Sequence, residues 1–197
     1  MKKILRAAIA VVSLLLPASS GLQARNIHVT AGYAYTFEAL DGLSIGTGDT
    51  HGMFVGAGCR IPIIAGLAVA PEIDYAFHFH RSKSGISTTV GHNAELSVDL
   101  LYQFDFTRNF GVFLLGGPRL AYGLAASYIP DEGVRSDYYS GGYMNRANFL
   151  LGCGLGFEIC KHYRFQASYN FGMNDLYAPA SGTHRDSRIS GGISYVF

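Results

Sequence analysis

Residues 187–197 alternate without a break and end on an aromatic ring. Ile189, Gly191, Ile193, Tyr195 and Phe197 fall on one side, and Arg188, Ser190, Gly192, Ser194 and Val196 on the other. A side-chain period of two belongs to an extended strand. It constrains this chain more than any motif does, because the same pattern runs through most of the sequence.

Seven further segments carry it. The first, over 26–38, sets Ile27, Val29, Ala31, Tyr33, Tyr35 and Phe37 against His28, Thr30, Gly32 and Thr36. The second, over 52–61, sets Met53, Val55, Ala57, Cys59 and Ile61 against Phe54, Gly56, Gly58 and Arg60. The third, over 67–80, and the fourth, over 94–106, place Glu72, Asp74, His78 and His80, then Glu95, Asp99 and Asp105, on one face only. The fifth, over 110–124, is mixed: Arg119 shares its side with Phe113 and Leu115. The sixth, over 146–159, alternates Phe149, Leu151, Cys153, Leu155 and Phe157 with a glycine-rich row. The seventh, over 163–173, alternates Tyr163, Phe165, Ala167, Tyr169 and Phe171 with Arg164, Gln166, Ser168 and Asn170. Pro71 and Pro118 lack the N–H a ladder needs and are expected at bulges or local irregularities.

The connections alternate as regularly as the side chains. Short ones are expected at 62–66, 107–109 and 160–162, and long ones at 39–51, 81–93, 125–145 and 174–186. An even number of strands with both ends on the short-turn side is an up-and-down layout. No repeat, linker or low-complexity tract divides the chain, so one domain is expected over 25–197.

The N-terminus reads differently. Lys2, Lys3 and Arg6 precede the apolar run 7–16 and a small-residue stretch up to Ala24. Ten apolar residues are too few for a spanning helix, which needs about 20. The stretch 1–24 therefore reads as a secretory signal peptide cut after Ala24. The three cysteines, Cys59, Cys153 and Cys160, are expected to stay unpaired.

Eight strands could also make a water-soluble calyx around an apolar ligand, and the faces discriminate. A calyx hides its apolar row, whereas here that row is free of charge in nearly every strand and ends in aromatic bands. A charge facing lipid at mid-bilayer costs about 2–4 kcal/mol, and Tyr and Phe bands suit the two interfaces. The expected fold is all-β: an eight-stranded antiparallel up-and-down transmembrane β-barrel. With its leader, loop alternation and the ending Ile193-Ser194-Tyr195-Val196-Phe197, the chain resembles the outer-membrane β-barrel family of small porin-like and opacity-type proteins. The resemblance implies export to the cell outer membrane and contact with outer-membrane lipid. It also implies insertion by the barrel-assembly machinery, with Ile193, Tyr195 and Phe197 as the assembly signal.

The polar row would then fill the lumen. Glu72, Asp74, Glu95, Asp99 and Glu158 face Arg60, Arg119, Arg164 and Arg188 in near balance. Buried charges need partners, and Arg119 on the fifth strand beside Glu95 and Asp99 on the fourth is the expected contact. Glycines 56, 58, 152, 154 and 156 would leave hollows for long Arg and aromatic side chains. A plugged lumen is expected, with the acids and bases as structural ion pairs.

Other chemistry is thin. His78 and His80, with His51, His92 and His184 on adjoining loops, lack the spacing that fixes a metal, so no metal site and no cofactor is assigned. His80 with Ser82 and His184 with Ser187 do not build a catalytic triad on the lipid face, and no catalytic residue is assigned. The net charge of +1 and the absence of a basic stripe leave nucleic acid out. Tyrosines 128, 138, 139, 143 and 177 among small polar residues suit adaptable contact surfaces. The expected function is therefore non-enzymatic: surface contact or adhesion, to a host surface, glycan or envelope protein through the long loops, or envelope stability. The alternatives are a lipid-modifying membrane enzyme and the soluble periplasmic calyx.

Overall fold

The structure, a computed structural model, describes residues 27–40, 43–44, 50–81, 87–130, 136–137, 139–140, 145–175 and 184–197. The leader expected over 1–24 lies outside the described residues. Eight strands form the wall: β1 (Ile27–Leu40), β2 (Thr50–Cys59), β3 (Leu67–Arg81), β4 (Ser87–Thr107), β5 (Phe110–Pro130), β6 (Ala147–Ile159), β7 (Tyr163–Gly172) and β8 (His184–Val196). Each pairs antiparallel with its sequence neighbours, and β8 pairs with β1, so the sheet closes without an edge. Ile61–Ile64 continues β2 along β3 after a break at Arg60. Leu43–Ser44 and Ser136–Asp137 add short pairings to β1 and β5.

The register fixes the size of the barrel. Stepping across partners from His28 leads through Gly58, Glu72, Ser97, Arg119, Leu150 and Gly172. Asp186 lies against Gly172 and pairs with Glu38, so the circuit returns to β1 ten residues above its start. Eight strands about 4.8 Å apart with that stagger tilt by roughly 40° and give a backbone radius of about 8 Å. Such a radius leaves room for side chains and no open channel.

Which row faces outward is plain from exposure. Met53, Val55, Leu100, Leu114, Leu155 and Ile193 are all exposed, Leu155 at 59%, while Glu95 is 2% exposed. Thr30, Ser97, Asn148, Asn170, Ser190 and Ser194 are buried with the charged residues. The apolar row is therefore the outer surface, the reverse of a soluble calyx. The fifth strand obeys the same rule: Phe113 points inward and is 1% exposed, Leu114 outward.

Lumenal glycines are spaces for their neighbours. Gly32 and Gly192 lie under Phe54, Gly156 under Phe113, Gly58 under His28, Gly56 under Asp74 and Gly152 under Asn170. The occupants are Phe, His, Asp and Asn; the arginines expected in these hollows lie elsewhere.

Both prolines mark lapses in the ladder. The β4–β5 pairing jumps from Ser97↔Arg119 to Leu100↔Gly116, leaving Pro118 outside it on that side. Pro71 faces Val98 at the height where β2 breaks between Cys59 and Ile61. Missing N–H groups thus fall where no partner requires them.

The ends of β4 and β5 differ from expectation. Residues 87–93 and 125–130, read as loop, are paired strand, and both strands reach 21 residues. Thr88, Thr89 and Val90 are β-branched and favour that conformation. β3 accompanies β4 up to Arg81 beside Thr88, while the top of β5 extends past β6, whose pairing with it ends at Ala147 beside Tyr122. At the other end the turn Ile159–His162 is tight, closed by His162 N donating to Ile159 O at 3.2 Å.

Candidate functional site

The middle of the lumen holds a charge cluster built by register. Asp74 on β3 faces Glu95 on β4 directly, an unfavourable like-charge pair on its own. Arg119 on β5 answers it: its Nη1 lies 3.3 Å from Glu95 Oε2 and 3.5 Å from Asp74 Oδ2. From the far wall, Arg188 Nη1 donates to both Glu95 oxygens at 2.7 and 2.8 Å. His78 Nε2 stands 3.8 Å from Glu95, and His28 Nε2 3.9 Å from Glu72. Asp99, expected beside Arg119, makes no ion pair among the described residues.

Six buried polar atoms of this region, His28 Nδ1, Glu72 Oε1, Asp74 Oδ1, His78 Nε2, Ser97 Oγ and Arg188 Nε, have no protein hydrogen bond. Ordered water is the chemical group that suits such a polar seam.

A second cluster lies at the short-turn mouth. Arg164 Nε donates to Glu158 Oε2 at 2.7 Å, and Arg60 stands 3.9 Å from the same carboxylate. Arg60 Nη1 also donates to Gln103 Oε1, and Gln103 Nε2 to Asp105 Oδ1 at 2.5 Å. A cavity of about 930 Å³ opens here, lined by these residues with Arg108, Lys161 and His162. The near balance expected from the sequence thus splits in two: carboxylates outnumber arginines at the centre, and basic groups outnumber acids at the mouth. Ser168 with Ser190, and Thr30 with Ser194, add hydrogen bonds of 2.8 and 2.9 Å across β7, β8 and β1.

At the opposite end, the base of the third long connection is braced. Tyr139 lies against Gly123, and the Arg146 guanidinium sits 4.7 Å over the Tyr139 ring. Arg146 Nη1 donates to Gly123 O at 3.3 Å, and Tyr139 N to Asp137 Oδ1 at 2.9 Å. Burial pushes the Tyr139 phenol above its ordinary value. Tyr138, Tyr143 and Tyr177 lie outside the described residues.

The histidines divide between faces. His78 is buried in the lumen, whereas His51 and His92, read as loop residues, lie on β2 and β4 among outward aromatic rings. Among the described residues no three His, Cys, Asp or Glu gather to hold a metal ion. Ser82 and the side chain of His184 lie outside the described residues, and Ser187 is buried. Ile193, Tyr195 and Phe197 share the outer face, with Tyr195 edge-on to Tyr163 at 5.6 Å and to Phe197 at 5.1 Å. Phe197 N donates to Ile27 O at 2.9 Å, tying the last strand to the first. Cys59, Cys153 and Cys160 are free.

A closed, lumen-filled sheet of eight tilted strands with an apolar outer band is the fold of the small outer-membrane β-barrels. Solved structures share it. Neisserial surface protein A is 18% identical with a TM-score of 0.53, covering 87% of this chain and 97% of that one. The attachment invasion locus protein Ail of Yersinia pestis, solved with the heparin analogue sucrose octasulfate, is 13% identical with a TM-score of 0.51, covering 87% and 98%. The outer membrane enzyme PagL is 14% identical with a TM-score of 0.52, covering 86% and 99%. No family model and no curated protein matches the chain.

Proposed function

We propose that the protein is a non-enzymatic integral barrel of the outer membrane that makes surface contacts through its third long connection, residues 125–145. The observation that carries the reading is the braced base of that connection. Its Tyr139–Arg146–Gly123 contacts and the pairing of Ser136–Asp137 with β5 fix that base against the top of the barrel wall. A loop whose described base is fixed loses less entropy on binding than one without such contacts, and Tyr139 lies in that base.

Charge narrows the partner. Residues 125–145 carry Asp131, Glu132 and Asp137 against Arg135 alone. A sulfated polyanion of the kind bound by the Yersinia pestis protein would be repelled there. A protein surface or an uncharged glycan fits better.

The test is display of the protein on a bacterium that otherwise lacks it, alongside a variant whose residues 131–144 are replaced by a short Asn-Gly turn. Adhesion to host cells and to arrays of neutral and sulfated glycans is scored. Loss of adhesion in the variant, with the unboiled gel mobility of a folded barrel kept, supports the reading. Equal adhesion by both, or binding confined to sulfated glycans, overturns it.

A further inference from the structure

Near the loop end, the described outer face of β1 to β4 carries two histidines among its aromatic side chains. Tyr33 on β1 hydrogen-bonds His51 Nδ1 on β2, and Tyr75 on β3 hydrogen-bonds His92 Nδ1 on β4 at 2.6 Å. The two pairs are built alike. In each, the histidine faces the aromatic residue two positions beyond the tyrosine: His51 faces Tyr35, and His92 faces Phe77. Phe77 and Phe79 on β3 connect them, with His51 stacked on Phe79 at 5.6 Å and His92 5.2 Å from Phe77. Two consecutive hairpins thus present the same polar device within one aromatic belt.

An imidazole is a poor choice against hydrocarbon, since a polar group moved from water without a partner is unfavourable by kcal/mol. At the aromatic belt, however, a barrel meets head groups and not acyl chains. When the tyrosine hydroxyl donates to Nδ1, the neutral ring carries its proton on Nε2. When the ring is protonated, both nitrogens donate and the charge is positive. In either state the pair offers a donor to an acceptor at head-group depth. No carboxylate shares this outer row among the described residues of β1 to β4.

We propose that the outer face of β1 to β4 is a binding site for anionic, phosphomonoester-bearing lipids, with His51 and His92 each donating to a phosphate oxygen and Tyr33 and Tyr75 fixing the rings. What lies against this surface is set by its continuity with the lipid-facing band. The proposal therefore rests on the membrane-spanning reading, and it adds which lipid chemistry the barrel selects and where.

The experiment is native mass spectrometry of the folded protein released from mixed micelles of phosphatidylcholine and phosphatidic acid. The wild type is compared with His51→Phe/His92→Phe, which keeps the rings and removes the donors, and with Tyr33→Phe/Tyr75→Phe. Wild-type protein is expected to retain phosphatidic acid over phosphatidylcholine on the order of tenfold per site, as a charge-assisted hydrogen bond allows. The histidine variant should lose most of that preference and the tyrosine variant part of it. Equal retention of the two lipids by the wild type, or an unchanged preference in the histidine variant, overturns the proposal. Folding into phosphatidylcholine vesicles, read by unboiled gel mobility, is scored separately. Failure there removes the membrane reading itself, whereas folding without lipid preference removes only this site.

Discussion

Glu95 is the residue on which the lumen turns, and removing its main partner gives the sharpest prediction. In Arg188→Met the carboxylate, 2% exposed, loses two charge-assisted hydrogen bonds of 2.7 and 2.8 Å and keeps Arg119 at 3.3 Å. Breaking one side of a buried pair costs about 3–5 kcal/mol, because the remaining charge stays desolvated. Glu95→Gln reverses the problem, leaving Arg188 without its carboxylate and Arg119 with Asp74 alone, for a similar loss. The double variant strands no charge of the pair, so its loss should approach the larger single value, which makes the coupling equal to the smaller single loss, about 3–5 kcal/mol. The chain has no tryptophan. Urea titrations of protein folded into vesicles are therefore followed by far-ultraviolet circular dichroism and by unboiled gel mobility. Single losses under about 1 kcal/mol, or additivity within about 0.5 kcal/mol, would refute the buried-pair account.

Leu155→Arg, at an outward position 59% exposed, should destabilise the vesicle-inserted barrel by about 2–4 kcal/mol while leaving micelle-bound protein far less affected; equal loss in both would mean the row does not meet hydrocarbon. Cys160 and Lys161 adopt φ of 54° and 60°, the left-handed region that hairpin turns fill with Asn-Gly. Cys160→Asn with Lys161→Gly should therefore stabilise the fold by about 1–2 kcal/mol in the same urea assay. The Tyr139 phenol, raised by burial, makes the brace strongest below the ordinary tyrosine range near about 10. Because the folded value lies above the unfolded one, that contribution is complete at neutral pH and is lost as pH rises through the folded value. Phenolate absorbance should show one tyrosine titrating late in the wild type and absent in Tyr139→Phe.

The strands, their faces and the short turns were legible because a period of two is a local property. What local pattern cannot carry is the stagger of the closed sheet. Arg188 and Glu95 meet across the lumen although 93 residues separate them, and no alternation ranks one such partner above another. Arg119 illustrates the limit within neighbours as well. It pairs with Ser97, so Glu95 and Asp99 flank it evenly in sequence. Asp74 faces Glu95, which puts two carboxylates on one side against one on the other, and the β4–β5 ladder lapses beside Asp99. The guanidinium goes where two acids wait. The upper ends of β4 and β5 were read as loop because Gly91, Asn93 and Ser127 dilute the alternation there. His51 and His92 were placed with the loops for the same reason, and only the register brings each to its tyrosine.

The same stagger decides where function can reside. Ten residues of shear on eight strands leave a bore that Phe54, Phe113 and the Glu95 cluster occupy, each seated in a space a glycine or a counter-charge provides. A ligand entering from the loop end would have to displace a buried carboxylate from two guanidinium groups, a loss of the size already assigned to Arg188→Met. One entering from the short-turn mouth meets a basic vestibule and then an acidic interior, which turns back an anion drawn into the first and a cation repelled from it. Passage is thereby opposed for either sign of charge. Both proposed sites, the braced loop base and the histidine-bearing belt, accordingly lie outside the bore.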